Sequence, residues 1–132
     1  VLCTEISKTS VKSANVNFAQ NSIENVSVAR MSSEEISAAL NDEREFRRLK
    51  DIDIAAYNFS SVLVDPPRAG LDKKTEELIN QFDHILYISC NPNTLHDNLV
   101  TLCKTHAVEK FAVFDQFPYT DHIECGVTLK RK

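Results

Sequence analysis

Glycine is nearly missing from this chain. Two glycines, Gly70 and Gly126, stand among 132 residues, about a fifth of the ~7% usual in globular proteins. No Gly-x-Gly nucleotide loop occurs in it, and because the chain opens inside what reads as a strand, a glycine-rich front end is expected ahead of Val1. Long apolar runs are missing too. None exceeds four residues, as at Ile54–Tyr57, Ile85–Ile88 and Phe111–Phe114, so no membrane-spanning helix is expected. The opening Val1-Leu2-Cys3-Thr4-Glu5 has no basic flank of the kind that starts a signal peptide. Nor is there a basic excess: the net charge is −4 and the pI about 5.5. Phosphate neutralisation supplies much of nucleic-acid affinity, so a grip on RNA has to come from local basic spots or another domain. The cysteines, at positions 3, 90, 103 and 125, lack the Cys-x-x-Cys spacing of zinc and thioredoxin-type sites. A reduced, cytoplasmic protein is the expectation.

What is present is an ordinary globular balance, 42% apolar and 26% charged, in which short apolar runs alternate with amphipathic stretches. Strands are predicted at Val1–Glu5, Val26–Arg30, Ser61–Val64, His84–Ser89, Glu109–Phe114 and His122–Leu129. Helices are predicted at Ser7–Asn21, from a Ser32 or Ser33 cap to Leu40, at Lys73–Phe82 and at Pro92–Thr105. The charged stretch Asn41–Ala56 reads as an inserted solvated helix, its Arg44, Arg47, Arg48 and Lys50 interleaved with acids. Strands alternating with helices indicate an α/β domain with a mostly parallel sheet. The last two strands are too close in sequence for a helical crossover and should pair antiparallel.

In such sheets ligands bind beyond the carboxyl ends of the strands, and three strand ends carry conspicuous chemistry. Glu5 ends the first strand, either as an acceptor for ribose hydroxyls or as a solvated acid. Asp65-Pro66-Pro67-Arg68 ends the third, where two prolines remove two amide donors and stiffen the turn; it reads as a rigid carboxylate mount or as a plain strand stop. Ser89-Cys90-Asn91-Pro92 ends the fourth. Asn91 is a favoured N-cap and Pro92 a favoured first helical residue, so Cys90 directly precedes a helix N-terminus, where partial positive charge favours a thiolate. Cys3 and Cys103 read as inert apolar positions instead. His84 lies at the far end of the Cys90 strand, while His96 and His106 read as solvated surface residues. Glu124 stands in an otherwise apolar strand, either as a general base or as an edge charge. Cys125 points the other way, into the core.

Three ordered motifs carry a resemblance: Asp65-Pro-Pro-Arg-Ala-Gly, Tyr87-Ile-Ser-Cys-Asn-Pro-Asn-Thr, and Phe114-Asp-Gln-Phe-Pro-Tyr-Thr-Asp-His-Ile-Glu-Cys-Gly-Val. Together they resemble the S-adenosylmethionine-dependent RNA uracil-5-methyltransferases, and the last motif is most similar to the branch that methylates the T-loop uridine of tRNA. The resemblance implies a Rossmann-like class I methyltransferase sheet that lacks its first strand and glycine-rich loop. Residues 1–132 would then be the carboxy-terminal part of a catalytic domain. It implies Cys90 as the nucleophile that adds to uracil C6, Glu124 as the base that removes the C5 proton, and Glu5 and Asp65 as cofactor-binding residues. The missing strand would lie between the one ending in Glu5 and the one ending in Asp65. Its loss leaves open edges, so weak cofactor binding, inactivity of the segment alone and self-association are further expectations. Rival readings are an rRNA uracil-5-methyltransferase, an amino-methyltransferase using Asp65-Pro-Pro, and a non-catalytic RNA-interaction module.

Overall fold

The computed structural model describes residues 1–132 as two compact units, Val1–Asn58 and Phe59–Lys132. In the first, β1 (Leu2–Thr4) pairs in parallel with β2 (Ser27–Ala29), and α1 (Lys8–Gln20) is the crossover between them. The Ser7 hydroxyl accepts from the Ser10 amide and so starts α1. α2 (Ser33–Leu40) opens with a reciprocal cap: Ser32 accepts from the Glu35 amide while the Glu35 carboxylate accepts from the Ser32 amide. That amide, followed by the Arg48 guanidinium, holds the Glu35 carboxyl below its ordinary pKa.

The stretch Asn41–Ala56 departs from the single helix its charge pattern predicts. It forms two single-turn 3-10 helices, Arg47–Leu49 and Ile54–Ala56. Asp42 turns left-handed at φ 56° just past α2, and Asp53 commits its carboxylate to the Ala55 amide. Arg48 reaches back to the Arg30 carbonyl at 2.6 Å and forks onto both Glu35 oxygens. Side chains that capture nearby backbone compete with a helical ladder, and here they prevail.

The second unit holds β3 (Ser61–Val64), α3 (Lys73–Ile79), β4 (His84–Ser89), α4 (Pro92–Leu102), β5 (His106–Phe114) and β6 (Glu124–Arg131). β3 and β4 are parallel; β6 runs antiparallel between β4 and β5, giving the order β3-β4-β6-β5. This is the α/β arrangement with antiparallel final pairing that the strand spacing predicts. Alternate residues of the two central strands, Ile85 and Tyr87 with Cys125, Val127 and Leu129, pack on Ile79, Leu95 and Leu102 of the helices. Each aliphatic side chain buried this way contributes ~1.5–3 kcal/mol. No helix is long and apolar enough to cross a membrane. The strands form two separate sheets, so β1 and β3 each keep an edge without a partner.

His106 corrects a sequence expectation. It is fully buried rather than solvated, with Nε2 2.8 Å from the Phe82 carbonyl and Nδ1 2.9 Å from the Thr105 hydroxyl. The Phe82 carbonyl also accepts from Arg131 Nη2 at 3.1 Å. A polar ring fits the interior here because both of its nitrogens find partners.

Candidate active site

β3 stops at Asp65 because Pro66 and Pro67 bring no amide hydrogen to a further ladder. The chain then closes a turn, with the Gly70 amide on the Pro67 carbonyl at 2.9 Å. Gly70 has φ +79°, and a Cβ there would sit 2.8 Å from Asn98 Oδ1 and 3.0 Å from Thr94 Cβ. Conformation and space both demand glycine.

The same loop is fastened to the start of α4. The Arg68 carbonyl accepts from Asn91 Nδ2 at 2.9 Å and from the Thr94 hydroxyl at 3.2 Å. Asn91 also caps α4, its side-chain oxygen taking the Asn93 amide, and Pro92 occupies the first turn. Cys90 therefore does sit directly before a helix N-terminus, half-buried, between a strand end and a cap that also holds the neighbouring loop.

Strand register brings the second acid to this place. Ser89 of β4 pairs with Cys125 of β6, Ile88 with Gly126 and Tyr87 with Val127. β4 ends at the Ser89–Cys125 pair, and Cys90 and Glu124 are the residues next to it on their two chains, at the same rim of the sheet. Glu124 is half-buried and pairs on its other side with Phe114 of β5. Val64, the last residue of β3, is level with Tyr87 of β4, so exposed Asp65 rises at the same rim as Cys90. Three of the four candidate residues, Asp65, Cys90 and Glu124, thus share one edge of one sheet. Cys125 faces the core, where burial, with the Glu124 charge adding, pushes its thiol pKa up.

The fourth, Glu5, belongs to the other unit. It follows β1 and stands half-buried, with its Oε1 accepting from the Ser7 amide at 2.6 Å, at the head of α1. Its own amide and carbonyl continue the ladder toward Ala29 and Met31.

Sequence reasoning passed over Asn98. Its Oδ1 accepts from the Leu71 amide at 3.0 Å and from the Tyr87 hydroxyl at 2.7 Å. Its Nδ2 donates to Glu76 Oε1 at 2.5 Å and to the Leu71 carbonyl at 3.3 Å. The signal was present as a polar residue inside the apolar helical stripe Leu95-Asn98-Leu102, all three buried. Tyr87, which donates to it, is sealed from solvent, and burial pushes its phenol pKa up to about 12.

A family model described as tRNA (Uracil-5-)-methyltransferase matches residues 1–132. The tRNA/tmRNA (uracil-C(5))-methyltransferase of Saccharophagus degradans is 67% identical over 132 residues, which is all of this chain and 36% of the relative. That of Colwellia psychrerythraea is 63% identical with the same coverage. The chain thus spans about a third of the length of the curated relatives it matches. Among solved structures it resembles the Pyrococcus abyssi tRNA (uracil-54, C5)-methyltransferase in complex with S-adenosyl-L-homocysteine. The TM-score is 0.71 at 24% identity, covering 98% of this chain and 28% of that one. An rRNA methylase from Streptococcus thermophilus overlays with TM-score 0.65 at 8% identity, covering 99% of this chain and 72% of that one. These likenesses establish a Rossmann-like methyltransferase fold.

Proposed function

We propose, since the chain belongs to the tRNA (uracil-5-)-methyltransferase family over residues 1–132, that it is the catalytic part of an enzyme that methylates C5 of a T-loop uridine in tRNA. The observation that carries this reading is that a half-buried thiol and a half-buried carboxylate flank the last β4–β6 pair, Ser89–Cys125, at one rim of the sheet. Uracil C5 is a poor nucleophile. Addition of the Cys90 thiolate to C6 makes a carbon–sulfur bond and pushes the displaced electron pair toward C5 and the O4 enolate. S-adenosylmethionine, when bound, supplies the electrophilic methyl group. C5 then carries methyl and hydrogen together. Glu124 takes that proton, the electron pair re-forms the C5–C6 double bond, and the Cys90 sulfur leaves. A covalent route of this kind divides one hard step into easier ones, and the target base has to be extruded from its stack to reach the sulfur.

The residues present suit the cofactor. Glu5 is an acid at the end of a parallel strand, the place where nucleotide-binding sheets hold ribose hydroxyls. Asp65 stands exposed on a mount stiffened by Pro66 and Pro67. We assign both to cofactor binding.

The test is a covalent trap. 5-Fluorouracil cannot release a C5 proton, so RNA containing it should stay attached to the protein through Cys90. The chain is set in place of the matching segment of a full-length relative and incubated with such a T-arm and S-adenosylmethionine. A gel-stable adduct that Cys90→Ala abolishes is the expected result. An adduct that survives the substitution overturns the role of the sulfur, and methylation of an exocyclic nitrogen instead would overturn the reaction class. Residues 1–132 alone are a partial catalytic domain and should show no turnover. The division into two sheets with unpaired β1 and β3 edges supports this, as does the greater length of the relatives. Those edges should also drive self-association, which sedimentation at rising concentration would reveal.

A further inference from the structure

We propose that Asn98 is a positioning residue that locks the Pro66–Leu71 loop to β4 and α4, and so holds Asp65 and Cys90 in one rigid frame. The assignment of Asp65 and Cys90 to chemistry rests on the function proposed above; the lock itself rests on geometry alone. One buried amide joins four pieces of backbone: the loop after β3 through Leu71, α3 through Glu76, β4 through Tyr87, and α4, which carries it. Both lone pairs of Oδ1 and both hydrogens of Nδ2 are used, which fixes the orientation of the amide. Gly70 crosses directly over it, with no room for a Cβ beside Oδ1. A second tie lies one helical stretch away, where the Arg68 carbonyl meets Asn91 and Thr94. The loop is thereby held within its turn at Arg68 and just past the turn at Leu71. Asn91, a partner in this second tie, is the neighbour of Cys90.

The consequence is selective. Releasing the Leu71 backbone leaves Arg68 as the loop's remaining hydrogen-bonded tie to α4, so the tie through Asn91 has to bear the motion, and Cys90 is the sulfur beside it. Cys103 caps the opposite end of the same helix and should not respond. Asn98→Ala removes all four bonds. Asn98→Asp keeps the shape but places an acceptor against the Glu76 carboxylate and the Leu71 carbonyl. Adding Glu76→Gln to it restores a donor at that contact.

The experiment measures alkylation of each cysteine by iodoacetamide, followed by peptide mass spectrometry, well below the melting midpoint of every variant. Asn98→Ala and Asn98→Asp should speed modification of Cys90 by about fivefold with Cys103 unchanged, the mark of a local opening. Glu76→Gln combined with Asn98→Asp should bring the rate back toward the parent value. Equal rates for parent and variants at Cys90, or equal acceleration at Cys103, overturns the proposal, as does failure of the second substitution to slow Cys90 again. In the full-length setting, Asn98→Asp should raise KM for S-adenosylmethionine as well as lower kcat, whereas a loss of folded protein alone lowers only apparent kcat. If the parent protein forms no adduct and transfers no methyl group, the proposed function fails while the thiol measurement still decides the lock.

Discussion

The two ends of the four-stranded sheet are built on opposite principles. At one end, where β4 begins and β6 finishes, polar groups are tied down. His106 lies between Phe82 and Thr105, the Thr105 hydroxyl meets Asn80, and Arg131 donates to Asn80, Phe82 and Asp83. At the other end Asp65, Cys90 and Glu124 stand half-buried or exposed on a frame made rigid behind them by Asn91, Thr94 and Asn98. Saturated polar groups hold a fold together, and under the function proposed above the groups left available at the rim are the ones that would do chemistry. The strands carry both, and their ends separate the two tasks.

The sharpest break of that comparison exchanges the two ends. Cys90→Ala should abolish the fluorouracil adduct entirely while moving the urea midpoint of unfolding hardly at all, because a half-exposed sulfur contributes little packing. His106→Ala should do the reverse, costing ~3 kcal/mol through a lost buried ring and orphaned partners, with adduct formation intact at temperatures where the variant is folded. If His106→Ala also abolished the adduct below its melting midpoint, the separation of tasks would be wrong.

How much of this was readable beforehand follows from the kind of force involved. The six strands and the α4 cap were legible because alternation, Pro92 and Asn91 are local signals. The positions of Cys90 and Glu124 at the rim were legible too, the first from the helix start that follows it and the second as an acid in an otherwise apolar strand. Their placement beside one ladder pair, Ser89–Cys125, was not, because register is set by pairing across a long sequence gap and appears in no short window. Asn41–Ala56 misled because Arg48 found its partners in Glu35 and the Arg30 carbonyl, both distant in sequence. His106 misled because what buries it, the Phe82 carbonyl, comes from a turn 24 residues away.

Smaller effects sharpen the comparison on the rim side. Gly70→Ala should destabilise by ~2–3 kcal/mol, from the left-handed backbone and the crowding against Asn98 and Thr94, read as a drop in urea midpoint. Tyr87 predicts a pH dependence of like size. Its folded pKa is raised to about 12, so the folded state favours the neutral phenol. The associated stability, ~2–3 kcal/mol, is fully present below pH ~10 and is lost as pH climbs toward 12. Tyr87→Phe should remove that alkaline slope. In the other unit, Ser32→Ala removes only one half of a surface cap and should cost ~1 kcal/mol, measurable as a small fall in melting temperature.

The chain contains no tryptophan and three tyrosines. Tyr87 is enclosed, whereas the ring of Tyr119 stands wholly in water. Near-ultraviolet circular dichroism responds to aromatic rings in fixed asymmetric surroundings and little to freely tumbling ones. The protein therefore carries its own optical gauge beside the Asn98 amide, and loosening of the frame around it can be followed with light, without a label.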